Sequence, residues 1–222
     1  MALDTPMEYD DNHHMEQQRT TGSKGSETRE RILRAAASRF RRQGYVETSV
    51  NQVMRDAGLT HGGFYAHFPS KEDLFAEAVR HATDESGDRL ESQIEDLKGA
   101  AWVDAWVDAY LSDGHCKHLE RGCPIPSLMP EVARAGSGAC DAFATGFGRR
   151  LDRLCPRLPF AGGEAERRAM SAYAHMAGAV MLSRTLDPES SARLRRDVAR
   201  AVKELLLGRR DVTQPSTTGE GS

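Results

Sequence analysis

Apolar residues recur at helical spacing from residue 32 almost to the end of the chain. Ile32, Leu33, Ala36 and Phe40 share one face, and Gly44 supplies a stop. Val50, Val53, Met54 and Ala57 mark a second helix, which Thr48 or Ser49 can cap and Gly58 ends. Thr60 can cap a short third helix that turns Phe64 and Phe68 inward. Ser70 caps a long fourth one carrying Leu74, Phe75, Ala78, Val79, Ala82, Leu90, Ile94 and Leu97. Trp102, Val103, Trp106, Val107, Tyr110 and Leu111 make a fifth. From His115 to Gly138 the pattern breaks up, because Pro124, Pro126 and Pro130 leave room only for short helical pieces. Helical order returns over Cys140–Cys155, with Phe143, Phe147, Leu151 and Leu154, and two helices over about 164–185 and 189–207 finish the pattern. Asp187-Pro188 between them is an N-cap followed by proline at the first helical position. No strand alternation stands out, so the spacing predicts an all-α protein.

The remaining segments are polar and without period. Residues 1–25 are expected to form a disordered arm, 26–70 a compact helical domain, 71–208 a larger helical domain and 209–222 a disordered tail. His13-His14 in the arm are metal-ligand types, but a plain polar tail accounts for them. No run approaches the roughly 18–20 apolar residues of a membrane span. The N-terminus has acids and histidines but no apolar core, so no signal peptide is expected. The cytoplasm is then the expected compartment, and Cys116, Cys123, Cys140 and Cys155 are expected as reduced thiols.

Charge changes the picture locally. The chain as a whole carries a formal net charge of -3. From Lys24 to Lys71, however, nine basic residues face four acidic ones, and the rest of the chain is acidic. A basic module joined to an acidic one suits a local contact with nucleic acid. The helix from Val50, the Gly58-Leu59 turn and the helix from Thr60 have helix-turn-helix proportions, with the second helix entering a major groove by its N-terminal residues. Gly62 and Gly63 each cost helix propensity, about 1 kcal/mol relative to alanine. They make sense there if a large body must come close.

Residues 28–79 resemble the DNA-binding domain of the TetR family of transcriptional repressors. The likeness rests on Thr28-Arg29-Glu30-Arg31-Ile32-Leu33, Gly44-Tyr45, Thr48-Ser49-Val50, Phe64-Tyr65-Ala66-His67-Phe68 and Ser70-Lys71-Glu72-Asp73-Leu74-Phe75. It implies an all-helical homodimer of about nine helices, a ligand cavity in the second domain, and a final helix pair forming a four-helix dimer interface. It also implies DNA contacts: Thr48 or Ser49 on phosphate; Thr60, His61, Gly62 and Gly63 at the groove; Tyr65 and His67 on the backbone; Lys71 on phosphate. His61 departs from the Lys, Arg, Ser or Pro often found at that place, and as a neutral imidazole it can donate to or accept from a base edge.

In the second domain, Trp102, Trp106, Tyr110, Phe143 and Phe147 are candidates to line a cavity, although plain core packing predicts the same residue types. Tyr173, His175 and Met176 either border that pocket or lie in a dimer seam. Ala172, Ala174, Ala177, Gly178 and Ala179 around them permit close helix contact. Cys123 has Lys117, His118 and Arg121 nearby in sequence, and cations favour the reactive thiolate, so it is either a sensor of electrophiles or an inert buried thiol. Gly122-Cys123-Pro124 is also similar to a stretch in one subset of TetR-like regulators. His115, Cys116, His118 and Cys123 are zinc-ligand types at a spacing that matches no compact zinc motif, so neither metal nor cofactor is expected.

The expected function is a repressor that binds a pseudo-palindromic double-stranded operator as a homodimer, without a membrane partner. A small-molecule inducer, or modification of a thiol, releases it. An activator, or a global DNA binder without inducer, is the alternative. A cysteine-dependent enzyme using Cys123 with His118 or His115 as base is remote, since no third group orders that pair and no phosphate loop appears. An enzyme is therefore not expected.

Overall fold

The computed structural model describes residues 12–120 and 122–209, with side chains from residue 25 onward. Among them all regular structure is helical: α1 (Asn12–Glu47), α2 (Val50–Asp56), a 3-10 segment (His61–Ala66), α3 (Lys71–Ser92), α4 (Gly99–Tyr110), α5 (Asp113–Lys117), α6 (Ile125–Val132), α7 (Ser137–Leu154), α8 (Gly162–Ser183) and α9 (Pro188–Leu207). A second 3-10 turn, Cys155–Arg157, follows α7. The all-α expectation and the count of about nine helices therefore stand.

Most boundaries follow local chemistry. Ser70 accepts from the backbone N–H of Asp73 at 3.0 Å and starts α3, while Asp187 accepts from Glu189 and Ser190 and starts α9 with Pro188 in its first turn. Gly44 interrupts α1 with φ 82°, a left-handed value that a side chain would resist. The turn it makes lets the Tyr45 N–H donate to the Glu131 carboxylate at 2.5 Å.

Two boundaries differ from the sequence reading. The backbone is helical from Asn12, where an irregular arm was expected to residue 25; Met15, Glu16, Gln17 and Gln18 are good helix formers and no proline intervenes. At the other end α3 stops at Ser92, so Ile94 and Leu97 leave the helix they were expected to continue. Residues 1–11 and 210–222 lie outside the described residues, as do the side chains of His13 and His14.

The buried residues form two clusters. One gathers Ile32, Phe40, Val53, Phe64, Phe68, Leu74 and Phe75, and is closed by Leu128, Val132 and Ala139 from α6 and α7. The other gathers Trp102, Trp106, Tyr110, Leu154, Tyr173, Met176 and Leu206 from α4, α7, α8 and α9. We call the first three elements the head and the remainder the body. α3 belongs to both: its first half closes the head, and its second half packs along α7.

Candidate nucleic-acid interface and the body behind it

α2 opens with a complete capping box. The Ser49 side chain accepts from the Gln52 N–H at 3.3 Å, and the Gln52 side-chain carbonyl accepts the Ser49 N–H at 2.8 Å. Ser49 itself is exposed. Thr48 is not: it is fully buried and its hydroxyl donates to the Gly44 carbonyl at 2.7 Å. Thr48 therefore belongs to the framework, and of the two residues expected at phosphate only Ser49 is on the surface. The reason is the break at Gly44, which turns the next residues under the head.

The segment after the turn is 3-10, not α-helical, and ends at Ala66. Two low-propensity glycines near its start and Pro69 just beyond its end leave too little chain for an α-helix. Thr60 stands at the N-cap position but makes no side-chain cap bond, contrary to expectation. Phe64 and Phe68 are completely buried, while Tyr65 between them is 67% exposed. His61 is exposed and lies edge-on to Tyr65, ring centroids 6.3 Å apart. The segment thus anchors by two phenylalanines and displays a histidine and a tyrosine. His67 is half-buried beside it.

Gly62 and Gly63 have no internal role. A Cβ on Gly62 would meet nothing within 4 Å, and one on Gly63 would meet only the Met54 methyl at 3.9 Å. Neither has positive φ. Packing and backbone conformation would both accept alanine.

Lys71 sits at the start of α3 with its ammonium 4.2 Å from the centre of the Tyr45 ring. The Tyr45 hydroxyl donates to the Glu72 carboxylate at 2.7 Å; burial, with that bond, pushes its pKa up to about 12.

The basic excess of the head is largely spent inside the molecule. Arg39 clasps Asp56 through two bonds of 2.6 and 2.8 Å, which hold the Asp56 carboxyl below its usual range. Arg29 pairs with Glu77, Arg31 donates to the Ala57 carbonyl at 2.6 Å, and Arg42 reaches Glu120 at 3.4 Å. Arg41 is buried and bonded to Ala37, Gly122 and Glu85. Counting charges in the sequence thus overstates the bare positive surface.

In the body, the candidate cavity residues fill space with one another. Trp102 stacks on Trp106 at 6.0 Å, Trp106 meets Tyr173 edge-on at 5.3 Å, and Phe147 meets Tyr173 at 5.2 Å. Phe143 stacks on Phe147 but packs against the head-side cluster. His175 is exposed on α8, with Nδ1 2.7 Å from the Ser171 carbonyl, and so faces away from the aromatic core, where Tyr173 and Met176 are buried.

Cys123 is fully buried and accepts the Tyr110 hydroxyl at 2.8 Å. Burial, with Cys123 beside it, drives the Tyr110 pKa well above the ordinary phenol value. The neighbours in sequence contribute little: His118 is exposed, Lys117 is exposed and paired with Asp113 at 2.9 Å, and Arg121 lies outside the described residues. The cations within electrostatic reach of the thiol come from far along the chain, as Arg41, Arg150 and Arg184. Sequence spacing gave no sign of them. His115 feels the same group: burial first, then Arg150, Arg184, Arg89 and Arg41, lower its pKa to about 4.

The stretch before α6, together with α6 itself, straps the head to the body. Arg41 donates to the Gly122 carbonyl at 3.4 Å, Arg42 reaches Glu120, and Glu131 holds the Tyr45 N–H. Gly122 packs so close to α5 that a Cβ there would stand 2.8 Å from the His118 carbonyl and closer still to that of His115.

A head with this turn between two short helices, on an all-helical body, defines the class of helix-turn-helix regulators. Residues 32–78 match the family described as bacterial regulatory proteins, tetR family. It is 36% identical over 113 residues to the HTH-type transcriptional regulator LmrA of Bacillus subtilis (strain 168), covering 48% of this chain and 58% of that protein. The chain spans between about a quarter and three fifths of the length of the curated relatives it matches, from 26% to 58%. Among solved structures, a TetR transcriptional regulator from Chloroflexus aurantiacus J-10-FL is 26% identical with a TM-score of 0.67, over 82% of this chain and 94% of that one. E. coli NemR in its reduced form gives the same TM-score at 19% identity, over 80% of this chain and 96% of that chain, and shares the fold. No described helix is long and apolar enough to cross a membrane.

Proposed function

We propose that the chain is a transcriptional repressor that binds a pseudo-palindromic DNA operator as a homodimer and is released by a small molecule entering the body. The observation that carries this reading is the surface of the 3-10 segment. A tyrosine is displayed between two buried phenylalanines, beside an exposed histidine and glycines the fold itself does not need. Ser49, Thr60, His61, Gly62, Gly63, Tyr65, His67 and Lys71 form the contact set. Backbone N–H groups and Lys71 would hold phosphate, and His61 would meet a base edge.

The surface of α8 supports the dimer. Met170, Met181 and Leu182 are about half exposed, Leu186 just beyond is 43% exposed, and Ala174 and Gly178 lie between them one turn apart. Half of the large apolar side chains left exposed in the described residues belong to this stripe. An apolar stripe of that kind, with small residues at its centre, is what two copies of a helix pair bury.

Release is a shift between head arrangements, which requires the inducer to bind the DNA-free arrangement better. The strap through Gly122 and Glu131 is the mechanical link. Cys123 lies in that strap, and an electrophile would reach it only once the Tyr110 contact opened.

The test is a gel-shift titration with an operator selected from random duplexes. Tyr65→Ala should weaken binding at least tenfold while leaving the helical circular dichroism and melting temperature unchanged. Undiminished affinity would remove Tyr65 from the interface. Affinity should fall steeply with salt, as phosphate contacts demand.

A further inference from the structure

A cavity of about 250 Å³ lies between α3, α4 and α5, apart from the aromatic stack that the sequence had singled out. Its wall includes Ser86 and Arg89 from α3, Gln93 just past its end, and His115 and His118 from α5 and its end, with Leu90 and Ala109 as the apolar part. Two polar atoms here lack what buried polar atoms normally have. Ser86 is 1% exposed, and its Oγ has no hydrogen-bond partner among the described residues. The same holds for Nε2 of His115. A buried polar group left unpaired calls for a partner supplied from elsewhere.

The surroundings select the sign of that partner. Arg89 stands in the wall, and Arg41, Arg150 and Arg184 are close enough to bear on His115. Arg150 and Arg184 donate to the backbone carbonyls of Thr83 and Cys116, which carry no formal charge to balance them. Arg184 also has a shielded Nη2 without a partner among the described residues. Glu85 answers part of this charge, shared between Arg89 at 2.7 Å and Arg41 at 3.2 Å. The cavity is smaller than sites for drug-sized ligands, which run to roughly 300–1,000 Å³.

We propose that this cavity binds a small organic carboxylate, its oxygens taken by Arg89, Ser86 and His115 and its short apolar body lying against Leu90 and Ala109. The regulatory consequence rests on the function proposed above. A carboxylate on Arg89 competes with Glu85, and Glu85 is also the partner of Arg41, the residue by which α1 grips Gly122. Occupancy would therefore act on the fastening of the head.

Binding is measured without DNA. The full chain is titrated calorimetrically with butyrate and benzoate, and with butyramide and benzamide as uncharged matches of the same shape. The expected result is saturable binding of at least one carboxylate, one per chain, at least tenfold tighter than its amide. Ser86→Ala should weaken that binding several-fold while raising the melting temperature of the free protein, because an unpaired buried hydroxyl is removed; a hydroxyl that only supports the fold would lower it. Arg89→Gln should abolish the preference for charge. If neither carboxylate exceeds its amide, the cavity holds water only and the proposal is overturned. Equal binding by Ser86→Ala and the parent overturns it too. Carboxylate binding that depends on Ser86 supports the site whether or not the protein binds DNA; failure to bind any selected operator counts against the proposed function alone.

Discussion

Replacing Gly62 by alanine separates the fold from its function at a single methyl group. Inside the protein the new Cβ would meet nothing within 4 Å, and the backbone angle is one that alanine adopts freely. Loss of glycine's conformational freedom in the unfolded chain should therefore stabilise the variant, by about 0.4–1 kcal/mol. On the operator the sign reverses. If the backbone at residue 62 lies against a sugar-phosphate strand, a methyl group there holds the strands apart and lengthens the hydrogen bonds from nearby N–H groups. A hydrogen bond to a charged group contributes about 1.5–3 kcal/mol, so losing one weakens binding by roughly ten- to a hundredfold for each head, and the losses of the two heads multiply. The assay pairs thermal unfolding with fluorescence anisotropy on the selected operator at one fixed salt concentration. A variant that is more stable and binds tenfold or more weakly is the expected result. Undiminished affinity would show that the glycine is not kept for the approach of DNA, and the observation carrying the proposed function would fall.

Three further perturbations test other parts of the molecule. His115 has a folded pKa near 4, below its ordinary value of 6.5, so the unfolded chain binds the extra proton first and stability falls as pH drops through that window. Between about pH 7 and about pH 5 the loss should be about 2 kcal/mol, and His115→Gln should remove that part of the slope in denaturant unfolding; Arg150, Arg184, Arg89 and Arg41, which face the ring, stay charged throughout. An unchanged slope would mean that the ring is hydrated. Gly122→Ala drives a methyl group onto the carbonyls of His115 and His118, and calorimetry should show a loss of about 1–3 kcal/mol, whereas a neutral effect would mean the strap is not held as described. Leu182→Glu places a charge in the apolar stripe of α8, and sedimentation should show a monomer that no longer binds operator; an intact dimer would place the interface elsewhere.

What could be read ahead of the structure was what depends on neighbours in the chain. The caps at Ser70 and Asp187, the stop at Gly44 and the inward pair Phe64 and Phe68 are local decisions, made by propensity and spacing within a turn or two. The misreadings share a different cause. Thr48 fits a surface cap until the bend at Gly44 rolls it under the head, and the basic excess from Lys24 to Lys71 fits a bare patch until Asp56, Glu77, Glu85 and Glu120 fold back against it. The charge around Cys123 shows the same effect in reverse. Lys117 and His118, next to it in sequence, point to solvent, while Arg41, Arg150 and Arg184 converge on it from α1, from α7 and from the end of α8. No periodicity encodes that convergence, because each arginine is placed by its own helix and meets the others only when the helices pack. It also changes where sensing is to be sought. The large aromatic residues favoured by composition are engaged with each other, whereas the Ser86 hydroxyl, unpaired among the described residues, and the ring of His115 stand beside a cavity in a field of positive charge. A body that responds to a ligand needs groups whose bonding is incomplete without it, and in this chain those groups are polar.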